Sequence, residues 1–239
     1  EAVGQADIVL SMLPAGKHVK ALYENDILPN VKQGALLIDC STIDVESART
    51  VSAMSKEAGF RAADAPVSGG TAAADAGTLA FMVGCEESDF ADIQAALEPM
   101  SKATLHAGSF GAGQAAKICN NMLLAITMVG TSEAFVMAEK LGLDAQKFYD
   151  ISSQASGQSW SMTSYCPVPG PVPASPANNN YQPGFAGAMM LKDLRLAMEA
   201  ASTADASTPL GQMCANMFEA FCEGGGDVQD FSAIINTLK

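Results

Sequence analysis

The sequence predicts an α/β fold: a mainly parallel sheet from the first half of the chain, then an all-helical second half, the two joined by a long central helix. Three observations carry this expectation. Short apolar runs alternate with helical stretches from Ala6 to about Ala107, as in a parallel sheet covered on both faces. Beyond Gly108 the strand-like runs stop. Finally, Gly108 to Gly142 lacks proline, and Ile118, Met122, Ala125, Ile126, Val129, Ala134, Met137 and Leu141 recur in it at helical spacing.

Taken in order, ADIVLSML (residues 6–13) is an apolar run stopped by Pro14, and residues 17–24 read as helix. ALLIDC (35–40) is a second strand. Asp44 to Ala58 is a helix closed by Gly59, with Ser41, Thr42 and Asp44 as capping candidates. FRAADA (60–65), ended by Pro66, is a third strand, and TLAFMVG (78–84) and ATLHA (103–107) follow, with a helix over 87–100 between them. After the central helix come a helix from Asp144 to Ser153, a loop rich in Pro, Asn and Gly from Tyr165 to Gly187, and helical segments near 188–204, 208–223 and 227–238. Loops that long inside a compact domain are uncommon and often functional. The domain boundary is placed near residue 108.

The 239 residues carry a formal charge of −13, so nucleic acid and anionic membranes are poor partners. No apolar run is read as reaching the length of a membrane span, and the opening EAVGQADIVL has no basic n-region, so it is not read as a signal peptide. Six scattered cysteines read as free buried thiols and point to a reducing compartment. His18 and His106 cannot build a conventional zinc site unaided, so no metal is expected. Between Phe148 and Leu238 the only basic residues are Lys192 and Arg195. KDLR (192–195) is therefore a functional candidate, with a surface charge pair as the plain alternative.

Ligands of open parallel sheets bind beyond the carboxyl ends of the strands. That rule selects Leu13-Pro14 with the following AGKH, Cys40-Ser41-Thr42, and Pro66-Val67-Ser68-Gly69-Gly70. A Ser-Gly-Gly turn leaves backbone N–H groups open and can cradle a carboxylate or phosphate. On the central helix, Lys117 and Asn121 stand four apart on one face near the N-terminal end. Cations are disfavoured there, which makes this face a catalytic candidate. Gly111 to Ala116 fits G-x-G-x-x-A, but no second strand with a terminal acid follows, so it is rejected as a dinucleotide fingerprint.

IDCSTID (38–44), DAPVSGGTAAADAGTLAFMVG (64–84), GAGQAAKICNNMLLA (111–125) and KDLRLA (192–197) together resemble the β-hydroxyacid dehydrogenase family, over essentially the whole chain. SGQSW (156–160), YCPVPG (165–170) and NNYQPGF (179–185) resemble the branch that acts on 3-hydroxyisobutyrate. The resemblance implies hydride transfer from a small 3-hydroxy acid to NAD, giving methylmalonate semialdehyde in valine catabolism. A reductase of tartronate semialdehyde or a related semialdehyde is the alternative, and so is a non-catalytic fragment.

The resemblance also implies roles for single residues. Lys117 is the general acid/base, and Asn121 holds Lys117 and the substrate. Ser68, Gly69 and Gly70 bind the carboxylate. Leu13, Pro14, His18, Thr42 and Lys192 line the cofactor. The expected homo-oligomer forms through the helical domain, in the cytoplasm of a bacterium or the mitochondrial matrix of a eukaryote. The family begins with a strand, G-x-G-x-x-G and a helix, which this sequence lacks. The expectation is thus an N-terminally truncated Rossmann-type NAD-binding domain over residues 1–108 and an all-helical domain over 109–239. A sheet without its first strands is expected to expose an apolar edge.

Overall fold

The computed structural model describes residues 2–239. Six strands form one sheet: β1 (Ile8–Ser11), β2 (Leu36–Asp39), β3 (Arg61–Asp64), β4 (Val67–Ser68), β5 (Leu79–Gly84) and β6 (Ser101–Gly108). β1, β2 and β3 are parallel neighbours. β5 runs antiparallel to β3 and β4, and parallel to β6. The sheet is therefore parallel in its first three strands and mixed beyond them. The reason lies in chain length. The link from Ser68 to Leu79 is shorter than the roughly dozen residues that a parallel crossover needs. β4 is too short for an alternation pattern, so the sequence shows it only as a loop.

Burial along each strand shows where the core sits. All of β2 is buried. Leu37 packs on one face with Val9, Val19, Tyr23 and Val51, beneath α1 (Gly16–Leu22) and α2 (Val45–Glu57). Leu36 and Ile38 pack on the other face with Phe81, Val83, Ile93 and Leu97, the last two from α4 (Phe90–Leu97), which follows the short α3 (Gly70–Asp75). β1 differs: Val9 and Ser11 are buried, whereas Ile8 and Leu10 are 43% and 46% exposed.

Local chemistry sets the helix ends. Asp44, not Ser41 or Thr42, caps α2, its Oδ1 accepting from Ser47 N at 2.7 Å. The helix expected over 87–100 is restricted to α4, with a 3₁₀ turn on either side, the second containing Pro99.

The long helix α5 (Ala112–Lys140) is continuous. The chain forms two compact units, residues 1–119 and 120–239, so the first two turns of α5 belong with the sheet. Among the described residues α5 is the one helix long and apolar enough to cross a membrane, a property the sequence reading did not credit to it. Half of that stretch is buried within the protein, where Ala125, Met128 and Val129 are core residues.

The second unit contains α6 (Ala145–Ser152), α7 (Trp160–Thr163), α8 (Gly187–Thr203) and α9 (Pro209–Phe221). Met190, Leu191 and Leu194 of α8 and Cys214, Phe218 and Phe221 of α9 pack with α5 in its core. The segment expected to be a last helix is a 3₁₀ run, Phe231–Thr237, behind Asp230. That carboxylate is wholly buried and pins the long loop. Its Oδ2 accepts from Tyr165 Oη at 2.8 Å, Gly184 N at 3.0 Å and Phe185 N at 3.1 Å. Its Oδ1 accepts from Ser232 N at 3.0 Å and Ser232 Oγ at 2.6 Å. Four of the free cysteines are buried and Cys222 is partly so, but Cys119 is exposed, contrary to expectation.

Candidate active site

The carboxyl ends of β1, β2 and β3 lie side by side because the three strands are parallel and in register. Ser41 ties two of these ends together. Its Oγ accepts from Leu13 N and donates to Asp39 Oδ1, both at 2.7 Å. Ser11 Oγ donates to the same oxygen at 2.7 Å, while Asp39 Oδ2 is buried without a partner among the described residues. Burial raises the Asp39 carboxyl above its ordinary range, against the pull of Ser41 and Ser11. Leu13 and Thr42 are half-buried, Pro14 is exposed, and His18 is exposed on α1.

At the third strand end, Asp64 meets the start of α5. Its Oδ1 accepts from Gly111 N at 2.7 Å and its Oδ2 from Gln114 N at 2.8 Å. Gly111 immediately precedes α5 and Gln114 lies in its first turn, where N–H groups have no partner within the helix. Burial dominates the Asp64 carboxyl and pushes it up to about 6, although both N–H groups favour the charged form. The fully buried side chain of Gln114 reaches the neighbouring strand end. Its Oε1 accepts from Ile43 N at 3.1 Å, and its Nε2 donates to Ser41 O at 2.7 Å.

The glycines of the rejected dinucleotide fingerprint explain this docking. Gly111 has φ +83°, and a Cβ on Gly113 would stand 2.3 Å from Met82 O and 2.8 Å from Asp64 O. They permit a helix start to lie directly on two strands. Lys117 follows one turn after Gln114 and is buried, with 7% of its surface exposed.

Ser68 closes β4, opposite Ala80. Gly69 and Gly70 have φ of +133° and +69°, a region that side chains disfavour, and both are exposed. A Cβ on Gly69 would also meet Ala73 Cβ at 2.5 Å. This turn needs glycine for its shape alone, whatever it binds.

In the second unit, Asn121 is 2% exposed, and both its amide nitrogen and its amide oxygen make hydrogen bonds. Its Nδ2 donates to Asp193 Oδ2 at 2.5 Å, and its Oδ1 accepts from Asn120 Nδ2 at 3.1 Å. Lys192, on α8, lies 3.7 Å from Asp193 Oδ1. Arg195, the other base of the KDLR segment, makes an exposed 2.7 Å ion pair with Glu219 of α9. Trp160 is half exposed and stacks on Tyr165 at 4.9 Å, and Tyr165 stacks on Phe231 at 5.4 Å. Burial and the neighbouring Asp230 push the Tyr165 hydroxyl up, so it remains a donor.

The structure thus gathers Leu13, Pro14 and Thr42 at adjacent strand ends and puts Lys117 one turn beyond a helix start fixed to the same ends. The sequence reading assigned no role to Asp64, Gln114 or Asp193, and took Ser41 for a capping candidate or part of a ligand-facing strand end, not for the tie between two strand ends. Each stands within one of the family-like motifs, but nothing in spacing alone marks a carboxylate that caps a helix 47 residues later.

Two families match the chain. Residues 1–108 match one described as the NAD binding domain of 6-phosphogluconate dehydrogenase, and residues 111–238 one described as NAD-binding of NADP-dependent 3-hydroxyisobutyrate dehydrogenase. A probable 3-hydroxyisobutyrate dehydrogenase of Mycobacterium tuberculosis is 49% identical over 239 residues, covering 100% of this chain and 81% of that protein. An NAD-dependent L-serine dehydrogenase of Pseudomonas aeruginosa is 43% identical over 236 residues, covering 98% and 79%. The solved structure of the Mycobacterium tuberculosis 3-hydroxyisobutyrate dehydrogenase with L-serine superposes with a TM-score of 0.96 at 49% identity, over 100% of this chain and 81% of the other.

Proposed function

The chain belongs to the β-hydroxyacid dehydrogenase family of NAD-dependent oxidoreductases, and on that premise we propose that it oxidises 3-hydroxyisobutyrate to methylmalonate semialdehyde, a step of valine breakdown, with Lys117 as general base. One observation carries the reading. A lysine and an amide, Lys117 and Asn121, stand one turn apart on α5, both nearly buried at 7% and 2% exposure. Their burial on one helix face takes both polar side chains out of bulk water, as a site that excludes solvent from a proton transfer requires.

NAD, when bound, would supply the acceptor for the hydride. The residues present suit its nicotinamide end. The tip of β1 offers exposed Met12 and Pro14 with half-buried Leu13, an apolar surface for a flat ring, and Thr42 offers a hydroxyl beside it. Lys192 completes the proposed cofactor contacts. The sequence contains no G-x-G-x-x-G, so this fit concerns the nicotinamide end only.

The remaining chemistry belongs to the chain. Ser68, Gly69 and Gly70 hold the substrate carboxylate through backbone N–H groups and the serine hydroxyl. Lys117 takes the proton of the primary hydroxyl as the C–H bond gives up its hydride, and passes it to solvent. Asn121, oriented by Asp193, holds the hydroxyl in line. Trp160 and the loop of residues 165–187 are the proposed determinants of which 3-hydroxy acid is taken. The cofactor-binding domain is residues 1–108 and the helical domain 109–239. The exposed apolar side chains of the latter, among them Met137, Leu141 and Met213, make it the proposed surface for a homo-oligomer.

L-Serine is the second reading, favoured by the serine dehydrogenase among the relatives. It is also a 3-hydroxy acid, with an ammonium where 3-hydroxyisobutyrate carries a methyl. Cofactor reduction measured with both acids decides. A higher kcat/KM for 3-hydroxyisobutyrate is expected, and a higher value for L-serine would overturn the substrate assignment. No turnover of either acid would overturn the function.

A further inference from the structure

We infer that Asp64 and Gln114 are positioning residues that fix the first turns of α5 on the carboxyl ends of β2 and β3, and so set where Lys117 stands relative to the Thr42 loop. The inference rests on the reading of Lys117 as the base.

The geometry supports it at each link. The two Asp64 oxygens take one N–H each from Gly111 and Gln114, at 2.7 and 2.8 Å. These are charge-assisted bonds, about twice as strong as neutral ones. A helix start held at two amides by one rigid strand residue cannot rotate or slide without losing one bond. Gln114 then fixes the direction. Its side-chain amide bonds the residues on either side of Thr42, accepting from Ile43 N and donating to Ser41 O. Lys117 lies three residues on, on the same helix face as Gln114. Ser41 continues the chain of contacts by accepting from Leu13 N. Two proposed cofactor-side residues, Leu13 and Thr42, are thereby referenced to the same helix turn as the proposed base.

The packing leaves no slack. A Cβ on Gly84 would meet Asp64 Oδ1 at 2.4 Å and Gly113 N at 2.9 Å, and one on Gly113 would meet Met82 O at 2.3 Å. These glycines bring the helix start within contact of the strands. An ordinary cap would need one acceptor and no such approach. A misplacement of about 1 Å costs on the order of 10²-fold in rate.

The test compares Asp64→Asn, Gln114→Met and Lys117→Ala in the full protein. It measures kcat and KM with 3-hydroxyisobutyrate and NAD, the pH–rate profile, thermal unfolding, and hydrogen exchange of amides 111–118. Asp64→Asn keeps shape but offers one acceptor for two N–H groups. Gln114→Met keeps volume and loses both bonds.

Each is expected to lower kcat by about 10²-fold, to change KM for the acid by less than about threefold, to displace the pH–rate limb that Lys117→Ala abolishes, and to speed exchange at 111–118. Folded variants with wild-type kcat and pH profile, beside an inactive Lys117→Ala, would overturn this inference and leave the base assignment standing. An active Lys117→Ala would overturn the base assignment and this inference with it. If Asp64→Asn fails to fold, Gln114→Met decides alone by the same criteria.

Discussion

The side-chain amide of Asn121 donates to the carboxylate of Asp193 across 2.5 Å, joining residues 72 positions apart on α5 and α8. Both are nearly fully buried, so neither can replace this bond with water. Asn121→Ala removes one hydrogen-bond donor from the buried Asp193 carboxylate and is expected to cost about 1–3 kcal/mol of stability. The double variant with Asp193→Ala is expected to lose less than the sum of the singles, with a coupling of about 0.5–3 kcal/mol. Urea unfolding of the four proteins measures this. Additive losses would show that the bond contributes nothing.

Lys117→Ala is expected to lower kcat by roughly 10²–10⁴-fold, the usual worth of a general acid or base. NAD binding should survive, because its proposed contacts are other residues, Leu13, Pro14 and Thr42 at the strand ends and Lys192 on α8. Asn121→Ala should lower kcat less, and the double variant should be no worse than Lys117→Ala by more than a small factor, since the two act as a unit. Steady-state kinetics with cofactor titration checks all three, and near wild-type kcat in a folded Lys117→Ala would end the catalytic assignment of α5.

Asp64 makes stability depend on pH in a definite direction. Its carboxyl is raised in the fold from 3.8 to about 6, chiefly by burial. Between those values the native state holds a proton that the unfolded chain has released. Stability from this group is therefore complete below about 4 and is lost as pH rises through about 6. The gap in urea midpoint between wild type and Asp64→Asn is expected to shift against the wild type from pH 4 to pH 7. A gap that shifts the other way would mean that the two helix N–H groups outweigh burial.

Asp230 accepts five hydrogen bonds, three of them from the two ends of the long loop. Asp230→Ala is expected to destabilise the helical unit by about 3 kcal/mol or more, since hydrogen bonds to charged groups are each worth about 1.5–3. Limited proteolysis should then cut first between residues 165 and 187. Unchanged cleavage would show that the loop is held by its own packing.

Two glycines of α5 should respond in opposite ways to alanine. Gly113→Ala places a methyl 2.3 Å from Met82 O and is expected to cost about 1–3 kcal/mol by overpacking. Gly130 has open space where a methyl would stand, with no neighbour within 4 Å. Gly130→Ala is therefore expected to stabilise the helix by about 0.5–1 kcal/mol. Thermal unfolding separates them, and equal shifts would contradict the close docking of the helix start.

The sequence by itself determined the elements and their class. Apolar runs bounded by Pro14, Pro66 and Gly59 mark strands and helix ends because their chemistry is local: proline lacks a donor and glycine tolerates positive φ. The period of α5 marked it as the central helix for the same reason. Lys117 and Asn121 were legible as a pair, since four residues on a helix are neighbours by geometry alone. Tertiary structure decided what depends on contact between distant segments. The antiparallel placement of β5, the two-residue strand β4 and the 3₁₀ form of Phe231–Thr237 follow from link lengths and packing, which no local pattern encodes. So do the roles of Asp64, Gln114, Asp193 and Asp230. A carboxylate in sequence looks the same whether it meets water or two helix amides, and only the fold brings Gly111 and Gln114 to Asp64.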